Sequence, residues 1–184
     1  MGGFAGPPEK STMKLVIAKR KVPARIRLAN STLLEGFLYL AIGGKRGTSE
    51  SVADRLNDST EKYLPFATND RHLFMNKSLV VSAKIPLVEG GIGERQVSEV
   101  EEKQEFRLRF HFLDGTAITG VAAAVMPYGR ERALDFLNLR AARFVDVLDE
   151  DHILLVNMDF VVAINEILAQ DLEAEPWTPM PAGR

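Results

Sequence analysis

Arg25-Ile-Arg-Leu-Ala-Asn-Ser-Thr-Leu-Leu-Glu-Gly36 aligns without a gap onto Arg109-Phe-His-Phe-Leu-Asp-Gly-Thr-Ala-Ile-Thr-Gly120, an offset of 84 from position 25 to position 109. Asp54-Arg-Leu-Asn57 aligns onto Asp135-Phe-Leu-Asn138 at offset 81. At that offset Tyr63-Leu-Pro-Phe66 meets Phe144-Val-Asp-Val147, and Asn76-Lys-Ser-Leu-Val-Val81 meets Asn157-Met-Asp-Phe-Val-Val162. Three residues lost in one loop account for the change of offset. The chain therefore reads as one unit written twice, and the period of an internal repeat sets an architecture before any motif does.

Each unit reads as β. Arg25, Arg27 and Ala29 alternate with Ile26 and Leu28, the period of a strand with one face buried. Asn30-Ser-Thr and Asp114-Gly-Thr are turn-forming triplets, because Asn, Asp and Gly tolerate positive φ. The strands that follow, about Leu33–Ile42 and Ala117–Met126, carry Gly36 and Gly120 at the same place. A glycine inside a strand permits a sharp bend or the close approach of another backbone, and a small barrel needs such a bend to close. Loop and short helix come next, with Val52, Ala53 and Leu56, and Ala133, Leu134 and Leu137, spaced for one apolar face. Asn57 and Asn138 are suited to end these helices in a left-handed cap. Three more strands are predicted in each unit, at Tyr63–Thr68, His72–Met75 and Ser78–Ile85, and at Phe144–Leu148, Ile153–Val156 and Phe160–Ile167, with tight turns at Asn76-Lys77 and Asn157-Met158. Pro23 is expected to interrupt the first strand pattern.

These readings divide the chain into an arm at 1–13, a first repeat at 14–87, a Gly-rich then acidic linker at 88–104, a second repeat at 105–170 and a tail at 171–184. A repeat of about 60 residues lies near the lower limit for a self-sufficient core, so the two should lean on each other or on another subunit. Trp177 in the tail reads either as a stray exposed aromatic or as an anchor onto a neighbour.

Composition excludes several classes. The chain has 184 residues and no cysteine, which removes disulfides, thiolate nucleophiles and the common structural zinc sites, and fits a reducing cytoplasm. Apolar runs such as Ile153-Leu-Leu-Val156 are too short to cross a bilayer, the first residues lack a signal-peptide pattern, and Gly6 stands where a myristoylation signal asks for Ser or Thr. The net charge of −2 conceals an asymmetry. Residues 1–87 hold 14 Lys/Arg against 7 Asp/Glu, and residues 88–184 hold 9 against 18. Two readings stand: separate solvated surfaces of opposite sign, or electrostatic complementarity between repeats, within a chain or head to tail between chains.

The order strand, turn, Gly-containing strand, excursion, strand, short strand, tight turn, strand resembles the Sm-like fold, a small bent five-stranded barrel found in eukaryotic Sm proteins and the bacterial RNA chaperone related to them. The matching residues are Arg25–Gly36 and Tyr63–Ile85, with Arg109–Gly120 and Phe144–Ile167 in the second unit. Phe112-Leu-Asp-Gly-Thr-Ala-Ile-Thr-Gly120 is similar to the first Sm motif. The paired Asp-x-Leu-Asn motif, Asp54–Asn57 and Asp135–Asn138, lies outside the Sm pattern and resembles a family of uncharacterised bacterial proteins with no assigned activity. It reads either as functional or as a helix plugging the barrel mouth with Leu56 and Leu137, its Asp and Asn bonded to local backbone. The resemblance implies an all-β protein of two tandem Sm-like five-stranded small barrels. Such folds assemble by joining the edge strand of one barrel to the next. A fused pair has a free edge at each end, so a homo-oligomer is expected, a ring of about three chains.

Sm proteins grip RNA at the excursion after the bent strand and at the turn between the last two strands. The positions matching that turn are Asn76 and Lys77, suited to a base edge and a phosphate, and Asn157-Met158-Asp159, where Asp159 would repel phosphate. Tyr128 is placed to stack in the second unit, and the first has no evident counterpart. The basic stretch Lys14, Lys19, Arg20, Lys21, Arg25 and Arg27 reads either as an RNA or anion surface or as a strand edge guarded by charge.

No nucleophile motif and no His cluster accompanies these features. His72, His111 and His152 are scattered; Gly43-Gly-Lys-Arg-Gly-Thr lacks the phosphate-loop spacing; Gly90-Gly-Ile-Gly opens no strand–turn–helix unit. The expectation is a non-enzymatic interaction or assembly protein without cofactor or metal, self-associating or bound to a protein partner. RNA binding through the first repeat is the alternative.

Overall fold

The computed structural model describes residues 18–42, 50–87 and 103–168. The expected arm, most of the linker and the tail with Trp177 lie outside these residues, as do the Gly43–Thr48 loop and Lys14. Among the described residues the fold is mainly β, a single antiparallel sheet of ten strands with two short helices. The first half contains β1 (Lys19–Leu28), β2 (Leu33–Ala41), α1 (Val52–Asn57), β3 (Tyr63–Ala67), β4 (His72–Asn76) and β5 (Val80–Pro86). The second contains β6 (Gln104–Phe112), β7 (Ala117–Ala124), α2 (Ala133–Leu139), β8 (Phe144–Asp149), β9 (His152–Asn157) and β10 (Val161–Glu166). A 3-10 turn, Lys77–Leu79 or Met158–Phe160, precedes the last strand of each half.

Local chemistry accounts for these elements. Ser31 (φ 64°) and Gly115 (φ 80°) take the left-handed position of the two hairpin turns, which the Asn-Ser-Thr and Asp-Gly-Thr triplets predict. The side chains of Asn76 and Asn157 cap the 3-10 turns by accepting from the backbone N–H of Ser78 and Asp159. Helix α1 opens with a capping box: Ser51 Oγ accepts from Asp54 N–H and the Asp54 carboxylate accepts from Ser51 N–H. In α2 the corresponding residue is Arg132, which cannot accept, so Asp135 has no box to close. Pro23 does not interrupt β1. It sits where β1 has only β2 beside it, since the ladder to β5 begins at Arg25, and the missing N–H costs nothing on that open side.

The glycines mark the bend. Just beyond Gly36 the ladder from β2 to β3 has only the pairs Phe37↔Ala67 and Leu38↔Phe66, and beyond Gly120 the ladder from β7 to β8 is the single pair Val121↔Leu148. A methyl group on Gly36 would overlap the carbonyl oxygen of Ala67. One on Gly120 would stand 2.8 Å from Val147 Cγ2 and 2.9 Å from Leu148 O.

Across the sheet the order is β10-β6-β7-β8-β9-β5-β1-β2-β3-β4. Each half follows the same internal order, its fourth strand at one side and its fifth at the other. The two halves meet where β5 pairs antiparallel with β9, from Ser82↔Val156 to Pro86↔His152. The expectation of two closed barrels is corrected here, because the sheet is not closed and runs open from β10 to β4. The reason is visible at β5: the edge it would use to close on its own β4 is occupied by β9.

Two cores lie along this sheet. The first gathers Ile26, Leu38, Leu40, Leu64, Phe66 and Val80 and also contains Phe144 and Leu155 from the second half. The second gathers Phe106, Leu108, Phe110, Phe136, Val145 and Val147 and also contains Val81 from the first. Strand β9 lies between them, Leu155 turned to one core and Leu154 and Val156 to the other. A strand covered on both faces reads as a continuous apolar run, which is what Ile153-Leu-Leu-Val156 is.

Candidate functional site

Around the seam between β5 and β9, side chains of one half bond to the other. Asn57, at the end of α1, donates from Nδ2 to the carbonyl of Phe144 at 3.0 Å and accepts from its N–H at 2.8 Å, satisfying both backbone groups of a buried residue. Asn157 is fully buried and donates to the carbonyl of Val80 at 2.7 Å. Lys84 pairs with Asp149 at 3.0 Å. Arg27 pairs with Asp114 at 3.4 Å, donates to Thr116 Oγ1, and lies 4.4 Å above the ring of Phe112. In both ion pairs the first half supplies the cation and the second the anion, as complementarity between the repeats predicts. Hydrogen bonds from Thr116, with the Arg27 charge as a smaller cause, hold the Asp114 carboxyl below its ordinary range.

This geometry corrects the reading of Asn57 as a left-handed cap. The residue that ends α1 is Asp58, with φ −61°, and the Asn57 amide reaches across 87 residues instead. Asn138 is exposed and makes no side-chain hydrogen bond among the described residues. Leu56 is buried in the first core as a plugging helix requires, whereas in α2 the fully buried side chain is Phe136, stacked on Phe106 at 5.2 Å, with Leu137 only partly covered.

The structure separates the candidate RNA and anion residues from one another. Lys19, Lys21 and Arg25 are exposed on one face of β1, with Lys21 Nζ 5.9 Å from the ring centres of both Phe37 and Tyr39. Arg25 pairs across the ladder with Glu35 at 2.6 Å. Beside them an open groove of about 550 Å³ is lined by Arg25, Phe37, Lys84 and His152 among others. Arg20 points to the other face, donating to the carbonyl of Glu50, and Arg27 is engaged in the seam. Lys77 is buried: its ammonium donates to the carbonyls of Arg55 and Asp58, and burial lowers its pKa, so the cation assigned to a phosphate faces inward. Asn76 keeps its carbonyl oxygen on Ser78. Tyr128 is almost wholly exposed.

The histidines do not converge. His111 is buried and bonded to Asn165 at 2.8 Å, His72 lies 6.4 Å from the ring of Tyr39, and His152 borders the groove. No helix among the described residues is long and apolar enough to cross a membrane.

The seam and the open sheet define an all-β protein in which two five-strand halves are joined edge to edge. No family model matches the chain, no curated protein matches it, and no solved structure matches it.

Proposed function

We propose that this is a non-catalytic assembly protein made of two Sm-like units, in which strand-edge pairing is both the internal joint and the means of self-association. The observation that carries the reading is the seam itself. Within one chain, two units of equal strand order already associate through β5 and β9, bury side chains in each other's cores and complete each other's backbone hydrogen bonds. The strand orders β4-β3-β2-β1-β5 and β9-β8-β7-β6-β10, and the bends at Gly36 and Gly120, support the Sm-like assignment. The outer strands β4 and β10 each have one bonded neighbour among the described residues, and an unpaired edge is a template for another chain. Size-exclusion chromatography with light scattering tests this. The expected species is a multiple of the 20.4 kDa chain, and a 20.4 kDa species at every concentration refutes it.

RNA binding is a second reading, favoured by one observation: Lys19, Lys21 and Arg25 share an exposed face with Phe37 and Tyr39, and cations beside stacking rings suit a single strand. Binding of single-stranded RNA should then fall with salt, each phosphate contact contributing about −0.7 to the log–log slope. The Lys19→Glu/Lys21→Glu variant should flatten that slope by about 1.4. Absence of binding at low salt removes this reading and leaves the assembly reading standing.

A further inference from the structure

The two halves differ where β1 parts from β5. Repeat equivalence sets Arg25 and Lys84 on Arg109 and Asn165, and each pair stands opposite in its ladder. Two residues further on, the second half continues: the Arg107 carbonyl accepts from the N–H of Ile167 at 2.8 Å. The same places in the first half are Pro23, 84 positions before Arg107, and Pro86, 81 positions before Ile167. Neither proline has an N–H to donate, so that bond cannot form, and the ladder of β1 with β5 ends at Arg25↔Lys84. Strand β5 goes on with β9 instead, through Pro86↔His152, and the next N–H, of Leu87, donates to the carbonyl of Asp151. The groove lined by Pro23, Arg25, Lys84, Pro86 and His152 opens at this parting.

Along it β1 keeps an open edge. Its bonds to β2 are made by even-numbered residues, as Ile42 N–H to the Ala18 carbonyl and Leu28 N–H to the Thr32 carbonyl show at the two ends. In an antiparallel ladder the residues between turn their N–H and C=O to the opposite side. Both backbone groups of Lys19 and Lys21 and the carbonyl of Pro23 therefore face the slot, and no strand among the described residues meets them. Lys19, Lys21, Pro23 and Arg25 are exposed on one face, while Val22 and Ala24 on the other belong to the first core.

We propose that this slot takes an extended acidic peptide of a partner protein, added to β1 as an antiparallel strand in the place β5 vacates. The peptide residue opposite Pro23 donates to the proline carbonyl, as Ile167 does to Arg107, and the residue opposite Lys21 both donates and accepts. Side chains directly opposite share a face. Those facing Lys21 and Lys19 are acidic, and the one facing Val22 turns to the core side and is apolar. Charge names the occupant: the stretch from Lys19 to Arg25 holds four cations and no carboxylate. A phosphate backbone would answer those charges, but it only accepts and would leave the carbonyls of Lys19, Lys21 and Pro23 without a donor. The slot is separate from the outer strands β4 and β10, so the proposal goes beyond self-association and does not depend on it.

The probe is a blocked hexapeptide, Thr-Val-Glu-Val-Glu-Thr, titrated into the isotope-labelled full chain and followed by NMR. Saturable shifts should centre on the amides of Lys19 and Lys21, and the Lys21 amide should exchange more slowly with peptide bound. Lys19→Glu/Lys21→Glu, at exposed positions and with its fold verified by circular dichroism, should weaken binding by about tenfold, and a peptide with Lys in place of both Glu should recover it. N-methylation of the first Glu of the probe removes its donor to the Lys21 carbonyl without changing any charge, and should also weaken binding by about tenfold. An N-methylated peptide that binds as well as its parent is held by charge alone, as RNA would be, and overturns strand addition. A Lys21 amide already protected in the free protein means that a segment of the chain itself fills the slot, and it overturns the proposal too. So does a probe that fails to bind at low salt.

Discussion

Asn57 shows how one side chain can do work that its neighbours in sequence do not suggest. Its amide satisfies the N–H and the C=O of Phe144, and neither group has another side-chain partner among the described residues. Asn57→Ala leaves both to be satisfied poorly, at an expected cost of about 1–3 kcal/mol in urea unfolding. Asn138→Ala, at the equivalent but unoccupied position, should lie within about 0.5 kcal/mol of wild type in the dilute chain. Gly36 carries a different constraint. A methyl group there meets the Ala67 carbonyl, which cannot yield without parting β2 from β3, so Gly36→Ala should destabilise by about 1–3 kcal/mol, read as a fall in Tm. Sequence reasoning locates Gly36, because a glycine at the same place in both strands is a visible pattern. The reach of Asn57 and the inward turn of Lys77 are set by contacts between distant elements, and neither side chain differs in type from an ordinary turn Asn or surface Lys.

At the scale of elements, strand positions, turns and helices follow from period and turn chemistry, which are local. Pairing between β5 and β9 is not local, and alternation within either strand does not name its neighbour. One signal was present: Ile153-Leu-Leu-Val156 does not alternate, and an unbroken apolar run calls for cover on both faces. Its counterpart His72-Leu-Phe-Met75 places His72 and Phe74 on the face that stays open, and a polar residue on a bare edge limits indiscriminate pairing. The two strands should therefore respond differently to truncation. Leu155→Ala opens a cavity between the halves and should cost about 2–5 kcal/mol. Phe74→Ala removes an exposed ring and should change the stability of the dilute chain by less than about 0.5 kcal/mol. Parallel urea titrations compare them.

For the whole molecule, the division of charge noted in the sequence has a structural counterpart in the seam, where Arg27–Asp114 and Lys84–Asp149 bring the basic half to the acidic one. The folded Asp114 carboxyl has a lowered pKa, first through Thr116 and then through Arg27, so its contribution is present above the ordinary value of 3.8 and is lost as pH falls through the folded value. Asp58 and Asp70, lowered chiefly by hydrogen bonds from Thr60 and Thr68, act in the same direction. Stability should decline below about pH 4, and Asp114→Asn should flatten part of that acid limb and leave the rest. Thermal melts between pH 3 and 7 decide it. That each half needs a neighbour was legible from its size, but size does not say whether the other half or another subunit supplies it. Which edges the halves share was not legible, because five strands can be set beside five others in several ways that satisfy the same local patterns.

The interlocked cores also bear on how the protein is made. Phe144 and Leu155 complete the first core, yet they are translated well after Pro86, the last residue of β5. At about 5–20 residues per second, a nascent chain would hold its first half unfinished for several seconds, with β5 bare and an apolar gap where those two side chains belong. A chain ending at Leu87 should present a segment that a protease cuts readily, whereas the full chain should protect it.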